Sequence, residues 1–281
     1  MLNPHTTGRG PLRDYVRFHE FPLAGIDPMI ASTARSFPRH THDQYGIGVV
    51  DSGAHKSWSD RGQVEAGPGD LICVNPGEVH DGYPLHRQSR AWRLLYLDLQ
   101  LVRETSEDVL SAADRPFTFA APVFADNQVR RLFDVVFSHT KLSAAPGAAV
   151  ASETAFLQLF AHLCEHSTGR PARMHGPAPC IRRARCKIDD DPAAPLTLAT
   201  LAKEAGLSRY QLIRGFAREL GLTPHAYILQ RRIALARRLI RSGHDLAEAA
   251  LTAGFCDQSH LNRCFMRHFG VTPGRYGSRA D

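Results

Sequence analysis

The sequence predicts a two-domain protein: an N-terminal β-barrel followed by a helical hairpin, and a C-terminal all-α domain built from two tandem helix-turn-helix units. Three observations predict it. Short strand-like runs separated by Gly and Pro turns fill residues 18–98. Helical periodicity replaces them from Asn127 onward. A segment near the C-terminus repeats itself at a fixed offset. The 281 residues suffice for two domains of ordinary size, and 43% hydrophobic with 22% charged residues excludes a disordered chain.

Residues 1–17 are polar and punctuated by Gly and Pro, and are expected to form an N-terminal arm. In the barrel region, 18–166 with its hairpin, the strand-like runs are Tyr45-Gly-Ile-Gly-Val-Val50, Asp70-Leu-Ile-Cys-Val74 and Trp92-Arg-Leu-Leu-Tyr-Leu-Asp98. The turns between them are Asp51-Ser-Gly53, Gly67-Pro-Gly69 and Asn75-Pro-Gly77. Asn127–Lys141 then places Val129, Leu132, Phe133 and Val136 on one helical face, and Ala148–His166 does the same with Phe156, Leu159, Phe160 and Leu163. That stripe serves either packing on the barrel or dimerisation, and periodicity leaves both open. Residues 167–179, rich in Gly, Pro and Arg, are expected to be a linker, with the helical domain over 180–281.

The repeat is the sharpest feature. Phe216-Ala-Arg-Glu-Leu-Gly-Leu-Thr-Pro-His-Ala-Tyr227 returns as Phe265-Met-Arg-His-Phe-Gly-Val-Thr-Pro-Gly-Arg-Tyr276, with six identities at an offset of 49. Ahead of the first copy, Leu198, Leu201, Ala202 and Ala205 form the stripe of a short helix. Gly206 supplies a left-handed exit and Ser208 a cap for the next helix, which buries Leu212 and Phe216. Helix, tight turn, helix defines the unit, about 198–220. The second unit, about 246–269, repeats it with Leu246, Ala249, Ala250, Gly254, Leu261 and Phe265. Its turn is one residue longer, with Cys256 or Asp257 in the cap region, and Asp is the better cap. Pro224–Arg241 between the units is expected to be one helix of roughly 27 Å, against about 34 Å for a turn of B-DNA.

Charge separates the two halves. Residues 179–281 hold 17 Lys and Arg against 9 Asp and Glu, a charge of +8 within a total of +6. A basic domain with two helix-turn-helix units points to double-stranded DNA. Arg209, Tyr210, Ile213 and Arg214 lie opposite the buried Leu212 and Phe216. Gln258, Ser259, His260, Asn262 and Arg263 lie opposite Leu261 and Phe265. Arg and Gln suit base edges, and Arg and Ser suit phosphates. Arg218 and Arg267, at equivalent repeat positions, suit phosphate contacts or the helix C-terminal dipole.

Residues 180–278 closely resemble the AraC/XylS family of transcription regulators, through LAKEAGLS, FARELGLTPHAY, RRIALARRLI, AGFCDQSHLNRCF and RHFGVTP. The resemblance implies base reading from the first turns of both second helices, by Tyr210, Ile213, Arg214 and the residues from Gln258 to Arg263 named above. The N-terminal domain resembles the cupin-like sensor of arabinose-type members, through His40-Thr-His42, Gly67-Pro-Gly-Asp70 and Pro76-Gly-Glu-Val-His80. That resemblance implies a small-molecule effector. Trp92, Leu94, Tyr96 and Asp98 share a strand face by parity, and His42, Trp58, His80 and Tyr83 are expected to join Trp92 and Tyr96 around the pocket.

His40, His42 and His80 also raise metal binding, because cupin enzymes hold a metal with such histidines and a carboxylate. The Glu expected soon after the His pair is replaced here by Tyr45-Gly-Ile-Gly, so Asp43 or Glu78 would have to substitute. The ligand set is incomplete, and the sequence assigns no metal, no cofactor and no catalysis. The competing readings are a cupin metalloenzyme carrying a DNA-binding module and a constitutive DNA binder whose barrel only dimerises. The expected partners are DNA, an effector, a second copy of the chain and RNA polymerase. The effector-modulated regulator, activator or repressor according to operator position, is expected in the cytoplasm. No apolar run approaches the roughly 20 residues of a membrane span, residues 1–5 do not begin a secretion signal, and the six cysteines form no CxxC pair.

Overall fold

The strand-like runs do form strands, and the reason lies in their two-sided burial. The computed structural model describes residues 14–59, 62–85, 88–109, 116–142, 147–166 and 178–278. One antiparallel sheet has the order β1 (Tyr15–Phe18), β2 (Ile26–Thr33), β9 (Arg90–Leu97), β4 (Tyr45–Ser52), β7 (Leu71–Val74), β10 (Val123–Phe124). The other runs β3 (Phe37–His40), β8 (His80–Pro84), β5 (His55–Ser59), β6 (Gly62–Ala66). In β9, Leu95 and Leu97 face outward from the barrel into one core, while Trp92, Leu94 and Tyr96 face inward to another. A strand covered on both faces needs apolar residues on both, which explains why β4 and β9 read as nearly continuous apolar runs.

After β9 comes α1 (Leu99–Val109), then α2 (Asn127–Ser138) and α3 (Ala148–His166). Asp126 caps α2, accepting from the backbone N–H of Gln128 and Val129 at 2.8 and 2.9 Å. The helix ends at Ser138 and tightens into a 3-10 turn over His139–Lys141, so the expected helical stretch is split there. Val129, Phe133 and Val136 pack with Phe156, Leu159 and Phe160 against Ile47, Leu71 and Leu95. The hairpin stripe is therefore spent on the barrel's outer face.

The C-terminal domain follows as α4 (Pro179–Asp190), α5 (Leu198–Ala205), α6 (Arg209–Leu220), α7 (Pro224–Arg241), α8 (Leu246–Thr252), α9 (Gln258–Phe269) and α10 (Pro273–Ser278). Each local signal has a physical partner. Gly206 has φ 65°, the left-handed conformation that closes α5. Thr223 accepts from the N–H of Ala226 at 3.2 Å, and Pro224 occupies the first turn of α7, where its missing N–H costs nothing. The longer second turn is secured by Arg232, which donates to the carbonyls of Gly254, Pro192 and Ala194 at 2.7–3.0 Å.

Two boundaries differ from expectation. The arm was expected over 1–17, but Tyr15–Phe18 is a strand paired with β2, because Val16 and Phe18 are buried; residues 1–13 lie outside the described residues. The expected linker lies outside them up to residue 177, and Pro179 already begins α4.

The domains share a core. Phe18, Met29, Phe37, Trp92 and Tyr96 of the barrel are continuous with Ile233, Leu261, Phe265, Phe269 and Tyr276. Around this seam α7 lays a polar row along the barrel. Gln230 accepts from the N–H of Thr41 at 3.0 Å and donates to the Arg39 carbonyl at 3.3 Å. Arg231 pairs with Asp43, Arg237 donates to Gln44, and Arg241 pairs with the buried Asp27 at 3.0 Å.

Candidate nucleic-acid interface and internal cavity

The exposed faces of α6 and α9 are set by their caps. Ser208 and Gln211 form a reciprocal capping box, the Ser208 hydroxyl accepting from the Gln211 N–H at 3.2 Å and the Gln211 side chain from the Ser208 N–H at 2.9 Å. In the second unit Asp257 is the cap, accepting from the His260 N–H at 2.6 Å, while Cys256 is exposed. Neither helix has an acidic residue in its first turn. The positive end of the α6 dipole, capped by the neutral Ser208, is thus left open to anions, while that of α9 already holds the Asp257 carboxylate.

Arg209, Tyr210, Ile213 and Arg214 are all exposed on α6; Tyr210 is 67% exposed, unusual for a large aromatic ring, with the Arg214 guanidinium 5.7 Å from it. On α9, Gln258, Ser259 and Arg263 are exposed. His260 and Asn262 are half-buried: the His260 ring meets Phe255 edge-on at 5.2 Å, and the Asn262 Oδ1 is buried with no hydrogen-bond partner among the described residues. Phe255 occupies the longer second turn, which explains why this position of the repeat is less open. Arg218 pairs with Glu219 at 2.6 Å, and Arg267 is exposed in the last turn of α9.

Between the two sheets lies a cavity of about 100 Å³. Its walls are largely apolar, with Met29, Ile72, Trp92, Leu94 and Tyr96 from one sheet and the imidazoles of His40, His55 and His80 from the other. His42, on the loop after β3, completes the imidazole cluster. His268 and Phe269, from the last turn of α9, also line it. Of the expected pocket residues, His42, His80, Trp92 and Tyr96 line this space. Trp58 and Tyr83 do not, and this corrects the expectation. In β5 it is His55, Ser57 and Ser59 that face inward, so Trp58 takes the opposite face by parity, 40% exposed beneath the Arg39 guanidinium. Tyr83 in β8 is likewise 41% exposed. His268 and Phe269 were not legible, because no local pattern signals a side chain that crosses from one domain to another.

Burial holds His40 and His42 well below the usual imidazole range, and each is depressed further by a neighbour, His80 for His40 and His40 for His42. His80 and His268 are also lowered by burial, against the backbone carbonyls they bond. His55 is pushed down to about 3 by burial and then by Arg90. Arg90 is fully buried and pairs with no carboxylate among the described residues. It donates to His55 Nδ1 at 2.9 Å and to the carbonyls of Thr33 and Arg35, and lies over the Trp92 ring at 4.8 Å.

Two family models match the chain. The AraC-like ligand binding domain covers residues 24–160, and a helix-turn-helix domain covers residues 201–279. The chain belongs to the AraC family of transcriptional regulators. This AraC-family regulator is 27% identical over 229 residues to the regulator YbfI of Bacillus subtilis (strain 168), covering 81% of this chain and 82% of that one. It is 26% identical over 264 residues to the transcriptional activator RhaS of Klebsiella pneumoniae (strain 342), covering 88% and 89%. Its fold matches ToxT of Vibrio cholerae O395 bound to (E)-4-(8-methylnaphthalen-1-yl)but-3-enoic acid, with a TM-score of 0.54 and 13% identity over 91% of this chain and 99% of that one. It is a DNA-binding transcriptional regulator with a ligand-binding N-terminal domain. Among the described residues no helix is long and apolar enough to cross a membrane.

Proposed function

We propose that the AraC-family regulator binds a small effector in the cavity between its sheets, and that the occupant sets DNA affinity through α9. One observation carries this: His268 and Phe269, in the last turn of the helix that presents Gln258, Ser259 and Arg263, line the same cavity as His42, His80, Trp92 and Tyr96. A ligand that fits one docking of α9 better than another shifts the balance between them by its differential affinity. The cavity is smaller than the roughly 300–1,000 Å³ typical of ligand pockets. It fits a compact molecule, and a larger one such as the naphthalene acid carried by ToxT requires α9 to move outward.

On DNA, α6 and α9 read two successive major grooves through Arg209, Tyr210, Ile213, Arg214, Gln258, Ser259, His260, Asn262 and Arg263, with Arg218 and Arg267 on phosphates. The regulator works in the cytoplasm as a homodimer with RNA polymerase as partner, and catalyses no reaction. The exposed Val135 and Val150 on the hairpin support the dimer. The test is selection of genomic fragments by the purified full-length chain at physiological salt. A single motif with two elements about 10 base pairs apart is expected. Recovery of random fragments, with and without cell extract as an effector source, overturns the reading.

A further inference from the structure

We propose that His40, His42 and His80 form a binding site for a first-row divalent transition-metal ion, and that His268 of α9 supplies the ligand that ties this ion to the DNA-binding domain. Their ligand atoms lie within 4.8 Å of one another, and their ring centroids are 4.4–5.1 Å apart. The hydrogen bonds fix which nitrogen is free. His40 Nδ1 meets the Pro38 carbonyl at 2.7 Å and His80 Nδ1 the Glu78 carbonyl at 3.1 Å. A carbonyl only accepts, so each Nδ1 carries the proton and each Nε2 keeps its lone pair. A ring N–H held by a backbone carbonyl is the usual outer support of a metal-bound histidine. The His42 ring makes no hydrogen bond among the described residues, where only the backbone carbonyl is engaged, by the Gly77 N–H at 2.8 Å, so a ring nitrogen is available to an ion. Three neutral imidazoles suit zinc and its first-row neighbours rather than magnesium or calcium.

The other imidazole and the carboxylates of the cavity are already committed. His55 Nδ1 accepts from Arg90, which leaves its proton on Nε2. Glu78 accepts from the backbone and side chain of Asn75. Asp81 accepts from the Trp58 N–H and faces Arg39. Burial pushes the Cys73 thiol up, away from thiolate. His268 differs: its Nδ1 meets the Cys264 carbonyl at 2.8 Å, so its Nε2 lone pair is free, and its ring lies 6.5 Å from that of His40. Zinc at about 2.0–2.1 Å from each nitrogen sets tetrahedral ligands about 3.3 Å apart. Ring rotations that move these atoms by about an ångström close the triad, and the fourth position takes His268, with water replacing it in H268Q.

The experiment loads the full-length chain with Co²⁺ and Zn²⁺. One equivalent of Co²⁺ giving the visible spectrum of a four- or five-coordinate nitrogen site is expected, and the spectrum of the hexa-aquo ion alone overturns the site without any variant. H42Q and H80Q are each expected to weaken Zn²⁺ uptake at least about 100-fold and to abolish its upward shift of Tm. Uptake equal to wild type places the metal elsewhere, such as the exposed Cys186 or Cys256, and overturns it. H268Q is expected to keep the one equivalent but lose the Zn²⁺-dependent hydrogen-exchange protection of α9. Unchanged protection in H268Q overturns the cross-domain ligand.

Discussion

In the first helix-turn-helix unit, Leu201, Ala205, Leu212 and Phe216 are closed off by Ile181, Ala184 and Tyr227, and among the described residues the barrel adds only Val79 to that core. In the second unit the equivalent residues, with Leu261 and Phe265 at the offset of 49, share their core with Phe18, Met29, Trp92 and Tyr96. The same device is self-contained in one setting and part of the sensor in the other. The second unit is therefore the one docked on the barrel, while the first takes nearly all of its core from its own domain.

Substitutions at the paired phenylalanines break this contrast most forcefully. Phe216→Ala and Phe265→Ala each remove a fully buried ring, at a cost of about 3–5 kcal/mol. Hydrogen exchange is expected to report loss of protection confined to α4–α6 for Phe216→Ala. For Phe265→Ala the loss is expected to spread into β2 and β9, and confinement to α8–α10 would show that the core is not shared. Next in size is Arg241→Ala, which removes the Arg241 guanidinium from the buried Asp27. The cost is about 2–3 kcal/mol, less than for a fully buried pair because Arg241 is 30% exposed and Gln44 remains near. It should loosen the second unit from the barrel and leave protection of α6 unchanged.

Arg214 and Arg263 occupy the same repeat position, and each →Ala variant is expected to weaken specific binding by about 1–3 kcal/mol if it reads a base. Equal losses on specific and random duplexes would make the residue a phosphate contact. The smallest effect is in pH. His55 has a folded pKa of about 3 against an ordinary 6.5. Its contribution is complete above about pH 6.5 and is lost as pH falls toward 3, because the unfolded chain then binds a proton that the folded chain refuses. From pH 6.5 to 5 this amounts to about 1.5 kcal/mol. Urea titrations of wild type and His55→Gln are expected to diverge by that amount, and parallel curves would place His55 in contact with solvent.

Much of the C-terminal domain was legible in the sequence, because caps, glycine exits and apolar stripes act within a few residues. Ser208, Gly206 and Asp257 are each recognisable from their neighbours alone. The His40, His42 and His80 grouping was visible through the resemblance to cupins, since His80 lies far along the chain from the His40-Thr-His42 pair. What escaped was non-local. Whether Trp58 points in or out depends on how β5 registers against β6 and β8, and the alternation of β5 alone does not say which face is inside. That His268 and Phe269 line the cavity depends on how α9 docks against β3, between residues at opposite ends of the chain.

The shared core also bears on how such regulators could be recombined. A chimera cut within residues 167–179 would look natural, since that stretch lies between the matched domains. Yet the barrel's inner wall is completed by Phe269, and Phe18 stacks edge-on against Tyr276 at 4.9 Å. A foreign sensor grafted there would meet a surface shaped for this one, and the freed helical domain alone would present Ile233, Phe269, Val271 and Tyr276 to water. The unit of exchange is thus the barrel together with the facing side of α7, α9 and α10, a discontinuous set that a single crossover cannot move.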